Sequence, residues 1–465
     1  MIPDWTRGAV FYQIFPDRFA NGDLNNDPAN IQPWGSTPTN EGFQGGDLAG
    51  IIEKIDYLVD LGINAVYLNP IFLASSNHRY NTSDYFQIDP KLGDIKDFQR
   101  LIEKAHKNGL KIILDGVFNH TGRSFFAFAD ILENGEKSPF KDWYYINHFP
   151  VDAYSPGKAK DYIAWWDFKS LPKLNTGNPA VQKYIFSVAR YWISLGVDGW
   201  RLDVPNEIDD DSFWAEFRRQ VKEENPNAFL LGEIWEVAPR WLNDDHFDSL
   251  MNYPLREWII NFLLSTDSAQ VFHEKLTNMW SQYPPGSINA LYNLLGSHDT
   301  ERIMTALHKS IDLVKLAFLV LLTLPGVPAI YYGDEIGLSG GKDPANRKAF
   351  VWNPVKQNRE LLSWVKKLIQ FRNIFQTLQM GSYIMLSVEN NPDILAYIRR
   401  DDNHTFVVVI NRSSSYENIV LNLPHLYFKN GSVLNNLLGE ETYKIEGSNG
   451  HFSLSVPPRT GFLLH

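Results

Sequence analysis

Apolar and polar positions along the chain follow two alternating patterns. Short apolar runs of strand length recur at AVFYQIF, INAVYLNP, KIILDGVF, GWRLDV, AFLLGEI, INALYNLL and PAIYYGDEI, and a weaker run lies at FDSLMN. Amphipathic stretches such as LAGIIEKIDYLVDLG and IKDFQRLIEKAHKNG, with apolar residues three or four positions apart, lie between the first runs. This alternation indicates parallel βα units. Because eight such strands close into a (β/α)₈ barrel, we predict an α/β fold built on a TIM barrel.

Two regions interrupt the alternation and predict additional domains. The stretch 121–172 is aromatic and rich in turn residues, and it is too long for an ordinary βα loop. From residue 381 onward, short strand patterns such as ILAYIRR and TFVVVIN alternate with Asn, Gly and Ser turns. We therefore predict a catalytic barrel in two parts, 1–120 and 173–380, with an inserted subdomain at 121–172 after the third strand and a C-terminal antiparallel β-domain at 381–465.

Composition narrows the classes of ligand. The chain of 465 residues has 44% hydrophobic and 21% charged residues, which is ordinary for a globular protein, and an aromatic content of 14%. Its net charge of −11 disfavours nucleic acid and other polyanions, which need a basic surface. Aromatic side chains offer flat apolar faces to ring-shaped ligands. A neutral ligand therefore fits this composition best.

Sequence features also bear on the cellular compartment. The chain has no Cys, which excludes disulfides, thiolate metal sites and Cys nucleophiles. The stretch MIPDWTRGAVFYQIFP has no basic segment followed by a continuous apolar one, so it does not resemble a signal peptide. The longest apolar run, LAFLVLLTLPGVPAIYY, is broken by Pro and Gly before it reaches a membrane-spanning length, which predicts a buried helix followed by a strand. We expect a cytoplasmic protein with no membrane partner.

Charged residues follow the predicted strands at the ends where a barrel enzyme holds its active site. In GWRLDVPNE, Arg201 lies two residues before Asp203, so both side chains point to the same face of an apolar strand. Buried ion pairs rarely stabilise a protein more than apolar packing, which favours a chemical role for this pair. Other polar residues at strand ends are Asp115, Asn119, His120, Glu233, His298 and Asp299. A single Asp at a strand end more often caps a helix, but several carboxylates beside Arg and His favour an active site.

Several segments, in this order and spacing, resemble the conserved regions of the α-amylase family, glycoside hydrolase family 13. They are GAVFYQIFPDRFANGD, DGVFNH, GWRLDVPNE, GEIW, LLGSHDTER and GVPAIYYGDEIGL, which together extend over nearly the whole chain. LPKLN is similar to the MPKLN of the neopullulanase, cyclomaltodextrinase and maltogenic amylase subfamily, with Leu171 in place of Met. The resemblance implies a retaining mechanism with Asp203 as nucleophile, Glu233 as general acid/base and Asp299 holding sugar hydroxyls.

The resemblance also implies contacts to the substrate. HRYNTSDY is similar to the family's HxYDTxDY loop, in which Tyr80 would stack on the sugar at the cleaved bond, and DPANR is similar to the segment that holds the next sugar. The implied substrate-binding residues are His78, Tyr80, His120, Arg201, Trp235, His298, Asp343 and Arg347. The alternatives are satisfied core histidines for His120 and His298, core packing for Trp235, and solvated loop charges for Asp343 and Arg347.

A loop rich in oxygen ligands raises the question of a metal site. NGDLNND and the later GGD supply Asn21, Asp23, Asn26, Asp27, Gly45 and Asp47. Calcium prefers hard oxygen ligands of this kind, although Asn, Asp and Gly are also the ordinary residues of turns. The resemblance implies a structural Ca²⁺ at these positions, remote from catalysis.

The predicted function is hydrolysis of α-1,6 and/or α-1,4 bonds in malto-oligosaccharides, pullulan or branched glucans. A glucan transglycosylase shares every catalytic residue and stays an alternative, as does a non-catalytic glucan-binding barrel, although such a barrel would be free to lose Asp203 or Glu233. The resembling enzymes usually carry an N-terminal β-domain that mediates dimerisation and covers the partner's cleft, whereas this chain starts almost at the first barrel strand. We therefore expect an open cleft, preference for longer chains, debranching activity, and a monomer or a homodimer formed through another surface.

Overall fold

The computed structural model describes residues 2–388, 391–424, 427–428, 431–445 and 451–465. The predicted domains 1–120 and 381–465 thus include a few positions outside the described residues. The strands are β1 Phe11–Ile14, β2 Ala65–Leu68, β3 Phe72–Ala74, β4 Thr82–Ile88, β5 Lys111–Gly116, β6 Gly199–Leu202, β7 Phe229–Gly232, β8 Ser249–Asn252, β9 Tyr292–Leu294, β10 Val327–Tyr331, β11 Ser382–Leu386, β12 Ile394–Arg400, β13 Thr405–Asn411, β14 Glu417–Asn422, β15 Val433–Asn435, β16 Thr442–Lys444, β17 His451–Val456 and β18 Thr460–Leu464. The α-helices are α1 Pro16–Phe19, α2 Leu48–Glu53, α3 Ile55–Leu61, α4 Ile95–Lys107, α5 Phe126–Asn134, α6 Pro179–Ser194, α7 Asp211–Glu224, α8 Tyr253–Leu263, α9 Ala269–Gln282, α10 Pro285–Ile288, α11 Ile303–Ala306, α12 Ile311–Thr323, α13 Arg359–Ile374 and α14 Gln376–Met380.

Eight parallel strands close into a barrel in the order β1-β10-β9-β8-β7-β6-β5-β2. Each of the eight apolar runs identified in the sequence overlaps one of these strands, including the weak run FDSLMN, which contains β8. A four-stranded antiparallel sheet, β11-β12-β13-β18, follows the barrel. The predicted α/β fold, a TIM barrel with a C-terminal antiparallel β-domain, is confirmed. No helix in the described ranges is both long enough and apolar enough to cross a membrane.

Side chains along the barrel strands alternate between the barrel interior and the surrounding helices. The interior holds a buried aromatic cluster in which Phe11 lies 5.3 Å from Tyr292 and 5.9 Å from Phe229 between ring centroids. Further along the strands the same alternation places polar residues, and Asp115 of β5 lies directly opposite Arg201 of β6 in the ladder. The period of two thus directs these charged side chains into the barrel, and their place late in the strands puts them at its carboxyl end.

The helix predicted for LAGIIEKIDYLVDLG differs from the one observed. It forms two short helices, α2 and α3, because Lys54 adopts φ −97° and ψ 7° between them. Asp47 caps α2 by accepting a hydrogen bond from the backbone N–H of Gly50, and Gly62 ends α3 with a left-handed φ of 92°. The segment is therefore not one continuous helix.

Between β5 and α6 the chain leaves the barrel and packs as an aromatic unit. The ring of Phe128 in α5 lies 4.9 Å from Tyr144 and 4.9 Å from Tyr162. Isolated antiparallel bridges join Tyr144 to Leu174 and Ala164 to Pro172. Phe128, Tyr144 and Tyr162 belong to the same buried apolar cluster as the barrel strands and helices, so the aromatic side chains of this segment extend the main core.

Two buried arginines join the barrel to the C-terminal sheet. Arg399 of β12 donates hydrogen bonds to the carbonyls of Thr323, Leu378 and Gly381, and Arg372 of α13 also donates to Leu378. Thr323 is the last residue of α12, where unpaired helix carbonyls attract positive charge. Carbonyl dipoles therefore solvate both guanidinium groups at this junction.

Candidate active site

A single guanidinium lies among three carboxylates at the carboxyl end of the barrel. Nη1 of the fully buried Arg201 is 2.8 Å from Asp115 Oδ1 and 3.0 Å from Asp203 Oδ1, and Nη2 is 3.0 Å from Glu233 Oε2. Asp203 follows β6 directly and Glu233 follows β7. Arg201 thus contacts Asp115 on the neighbouring strand β5, Asp203 just after its own strand, and Glu233 just after the neighbouring strand β7.

Burial and the charge of Arg201 shift the pKa of Asp203 in opposite directions. Burial raises the pKa of its carboxyl well above the ordinary value, and Arg201 opposes this rise by favouring the charged form. Repulsion from Glu233 and Asp115 adds to the rise. The guanidinium of Arg201 contacts Asp203 directly and so favours the ionised form of its carboxyl group.

Both oxygens of Glu233 accept hydrogen bonds from nearby residues. The backbone N–H of Val204 donates to Oε2 at 3.0 Å, and the indole N–H of Trp235 donates to Oε1 at 3.2 Å. Val204 has φ 35° and ψ 52°, a left-handed conformation that is costly for a β-branched residue. This strained conformation directs the backbone N–H of Val204 toward Glu233. The residue that follows Asp203 therefore hydrogen-bonds to the second carboxylate, so the positions of Asp203 and Glu233 depend on each other.

Asp299 lies beside His298 and Arg347. Its Oδ2 is 3.2 Å from His298 Nε2, and its Oδ1 is 3.7 Å from Arg347 Nη2, whose Nη1 lies 3.1 Å from Asp343 Oδ1. Desolvation in the cleft, with repulsion from Glu233, raises the pKa of Asp299 to about 7. The structure therefore brings together the residues that the sequence assigned to sugar hydroxyls on this side of the site.

Tyr80 links these groups. Its hydroxyl donates to Asp115 Oδ2 at 2.7 Å and lies 2.6 Å from His298 Nε2, and its ring stacks parallel to His298 with centroids 5.3 Å apart. Burial lowers the pKa of His298 well below its usual value and that of His78 to about 3. Both imidazoles are thus neutral near pH 7, and each can both donate and accept a hydrogen bond.

His120 carries an unpaired polar atom. Its Nε2 is buried and has no hydrogen-bond partner among the described residues, and burial lowers its pKa to about 3. Its ring stacks on Trp165, which in turn stacks on Trp166 at 4.6 Å with the planes 6° apart. Trp166 is 71% exposed. Sequence reasoning missed this tryptophan pair, although the aromatic composition of 121–172 was a signal for it.

Trp235 forms a half-exposed aromatic surface beside Glu233. Its ring lies 3.8 Å from that of Tyr253 with the planes 3° apart, and half of its own surface faces solvent. This exposure disfavours plain core packing, the alternative interpretation of this residue. Tyr67, whose hydroxyl donates to Asp115 Oδ2 at 2.5 Å, and Gln13, whose Nε2 lies 2.9 Å from His298 Nδ1, were missed together with Tyr253. Each lies in or beside an apolar run that carries no separate signal.

The predicted calcium ligands lie in one loop before α2. Oδ1 of Asn21 and of Asn26 is buried with no hydrogen-bond partner among the described residues, and Asn21 Nδ2 donates to Asp27 Oδ1 at 2.9 Å. Gly45 has φ 85°, and a Cβ there would lie 2.4 Å from Asp27 Oδ1. The carboxylate of Asp47 accepts from the backbone N–H groups of residues 22, 23 and 50 and so holds the loop on α2, while Asp23 Oδ1 accepts from the backbone of residue 25.

This loop fits a hard cation. No group of three or more His, Asp or Glu side chains suited to a metal occurs in the part of the chain that the structure describes. The donor set consists instead of the two unpaired amide oxygens and Asp27, with Asp23 and Asp47 nearby. Calcium accepts carbonyl and carboxylate oxygens of this mixed kind.

A closed parallel barrel with carboxylates, a guanidinium and neutral imidazoles at the carboxyl ends of its strands defines a TIM-barrel enzyme site. The family described as "Alpha amylase, catalytic domain" matches residues 13–367, and "Maltogenic Amylase, C-terminal domain" matches residues 383–463. The chain belongs to the α-amylase family of glycoside hydrolases.

Several characterised proteins are similar to the chain over nearly its whole length. A cyclomaltodextrinase of Geobacillus thermopakistaniensis is 45% identical, with 100% of this chain and 77% of that protein covered. Neopullulanase 2 of Thermoactinomyces vulgaris is 43% identical, with 99% of this chain and 78% of that protein covered. The structure of the Nostoc punctiforme debranching enzyme has a TM-score of 0.90 and 38% identity, with 100% of this chain and 99% of that chain covered.

Proposed function

We propose that this protein hydrolyses α-1,4 and α-1,6 glucosidic bonds of malto-oligosaccharides and branched glucans with retention of anomeric configuration. The observation that carries the proposal is the contact of Arg201 with both Asp203 and Glu233. In a retaining glycosidase one carboxylate attacks the sugar while a second group exchanges a proton, so the two must lie on one cavity. The names of the three relatives support the substrate class.

In the first step Asp203 attacks the anomeric carbon and forms a glycosyl ester, while Glu233 gives its proton to the departing glycosidic oxygen. In the second step Glu233 takes a proton from water, and the resulting hydroxide displaces Asp203 and restores its carboxylate. Asp299 and the neutral His298 and His120 are the hydroxyl ligands of the sugar at the cleaved bond. The unpaired Nε2 of His120 supports this role, because a sugar hydroxyl would supply its missing partner.

Aromatic faces determine the positions of the other sugars in this proposal. Tyr80 stacks on the sugar at the cleaved bond, and the half-exposed Trp235 beside Glu233 stacks on the leaving sugar. Asp343 and Arg347 hold the preceding sugar. The exposed Trp166, stacked outward from Trp165 and His120, extends the surface toward longer chains. These faces support a preference for longer substrates.

The experiment compares the release of reducing sugar from pullulan, amylose and β-cyclodextrin, with chromatography of the products. We expect hydrolysis of α-1,4 chains and of pullulan, a rate that rises with chain length, and no activity in Asp203→Asn. Products longer than the substrate would instead identify transfer to sugar as the main reaction. Absence of any new product from all three substrates would refute the proposal.

We also propose that the loop around Asn21 holds a structural Ca²⁺. The unpaired amide oxygens of Asn21 and Asn26, together with Asp27, are the proposed ligands, while Asp23, Gly45 and Asp47 complete and shape the loop. The ion would neutralise the carboxylates and fix the loop against α2. None of the catalytic steps described above depends on it.

A further inference from the structure

The structure contains a groove whose described lining includes none of the residues of the acid cluster. It has a volume of about 590 Å³ and runs between the β3–β4 hairpin, the start of α5 and α6. Sites for small ligands usually have volumes of about 300–1,000 Å³. Its described lining residues are Leu73, Ala74, Ser75, Ser83, Asp84, Phe86, Ser124, Phe126 and Tyr184.

Three contiguous aromatic rings form one wall of the groove. Phe86 is 37% exposed and Phe126 is 44% exposed, and both rings contact Tyr184 with centroids 5.7 and 5.8 Å away. The Phe86 ring stands nearly perpendicular to Tyr184, at 88°. Exposed aromatic groups that cluster in a concave surface indicate a binding site more strongly than scattered ones do. The wall thus offers apolar faces of the kind that pack against the C–H face of a pyranose.

Hydroxyl groups and one carboxylate also line the groove. Ser83 Oγ and Ser124 Oγ are 2.5 Å apart and join the hairpin to the segment before α5. Ser75 and Asp84 add further donors and acceptors along the hairpin. None of the described residues lining the groove is Lys, Arg or His. The lining is therefore unsuited to phosphates and other anions and suited to a neutral polyhydroxyl ligand.

Two segments that line the groove continue into loops of the active site. Ser75 lies at the start of the loop that carries His78 and Tyr80, and Asn81 at the end of that loop donates from Nδ2 to Ser75 Oγ at 2.7 Å. Ser124 lies four residues after His120. A polymer bound in the groove would thus lie against the same two segments that line the cleft.

We propose that this groove is a second binding site for α-glucan chains, distinct from the cleft that contains Asp203. The occupant rests on the proposed function, since a glucan is the substrate that the cleft would process. A chain held here would keep a long polymer at the enzyme between cleavages. Short substrates, which reach only the cleft, gain nothing from it.

Binding stoichiometry tests the proposal. Isothermal titration of the full-length Asp203→Asn protein with maltoheptaose is expected to give two sites, because this variant does not consume the ligand. Adding Phe86→Ser and Phe126→Ser should leave one site, while Tyr416→Ser, an exposed ring in the C-terminal domain that is 69% accessible, should leave two. Because loss of aromatic packing can unfold a protein, Ser124→Trp provides a second variant that fills the groove and should also leave one site.

Kinetics separate this proposal from the proposed function. In protein with Asp203 intact, the groove variants should raise the KM for amylose about tenfold, as loss of a stacked aromatic contact implies, and leave kcat/KM for maltotriose unchanged. If the wild-type protein hydrolyses no glucan, the proposed function fails while the titration still decides on the groove. One binding site in Asp203→Asn, or two sites in Ser124→Trp, would overturn the groove assignment.

Discussion

Replacement of Arg201 by Lys keeps a positive charge in the acid cluster but removes the planar fork that reaches three carboxylates. The guanidinium uses Nη1 for Asp115 and Asp203 and Nη2 for Glu233. A Lys ammonium is a compact charge on a thinner stem, so it can occupy only part of this space. Arg201 donates hydrogen bonds from Nη1 to Asp115 and Asp203, whereas Nη2 forms only an ion pair with Glu233. We expect the Lys variant to lose both hydrogen bonds.

The magnitude follows from the hydrogen bonds that the substitution removes. A hydrogen bond to a charged group contributes about 1.5–3 kcal/mol, so removal of two costs about 3–6 kcal/mol. If roughly half of that loss appears in the transition state, kcat/KM should fall about 10–200-fold at 1.36 kcal/mol for each factor of ten. Weaker stabilisation of the charged Asp203 raises its pKa further. Since the nucleophile acts only when ionised, the acidic limb of the pH–rate profile should move to higher pH.

The assay is kcat/KM for maltotriose as a function of pH, with Arg218→Lys as the matched control. Arg218 is another buried arginine, and its Nη1 lies 2.9 Å from Asp248 Oδ1, outside the cleft. Arg218→Lys should lower the melting temperature without moving the acidic limb. If Arg201→Lys behaves like this control, with no shift of the limb and no greater loss of kcat/KM, the reasoning about the shared guanidinium is wrong.

Three further predictions concern the carboxylates and the metal loop. Asp203→Asn and Glu233→Gln should each lower kcat at least about 10³-fold with an unchanged circular dichroism spectrum, and near-normal kcat in either variant would refute its role. The pKa of Asp299 is about 7 in the folded protein, whereas that of an unfolded Asp lies near 4. Between these pH values the folded protein binds more protons than the unfolded chain does. The free energy of unfolding should therefore fall as pH rises from about 4 to 7. Asp299→Asn should flatten this slope in melting experiments, and an unchanged slope would contradict the raised pKa. Excess chelator should lower the melting temperature of the wild-type protein, because a ligand that binds the native state stabilises that state. The melting temperature of the Asn21→Ala protein should not change with chelator. An unchanged melting temperature of the wild-type protein would count against calcium.

The barrel could be predicted because its signal is local. Each strand is a short apolar run, and a period of two fixes which side chains point inward, so the side-by-side placement of Arg201 and Asp203 follows from two residues of sequence spacing. Their 3.0 Å contact agrees with this expectation. Even the weak strand β8 was detectable as FDSLMN.

The rest of the site depends on contacts between segments far apart in the chain. Trp165 stacks on His120 only because the insertion folds back toward the end of β5. The apolar periodicity of the sequence does not predict such a contact. The left-handed Val204 has no glycine to mark it, because the surrounding structure imposes the strain. The groove beside Phe86 is likewise formed where a hairpin meets the insertion and a barrel helix. Local patterns predict elements, whereas these features depend on how the elements meet.

The most direct test of the central claim is the anomeric configuration of the first product, measured by proton NMR during the early hydrolysis of maltotriose. Attack by Asp203 inverts the anomeric carbon once and attack by water inverts it again, so the account predicts that the α-anomer appears first and mutarotates to the β-anomer afterwards. Initial appearance of the β-anomer would mean that water attacks the sugar directly, and it would contradict the assignment of Asp203 as the nucleophile.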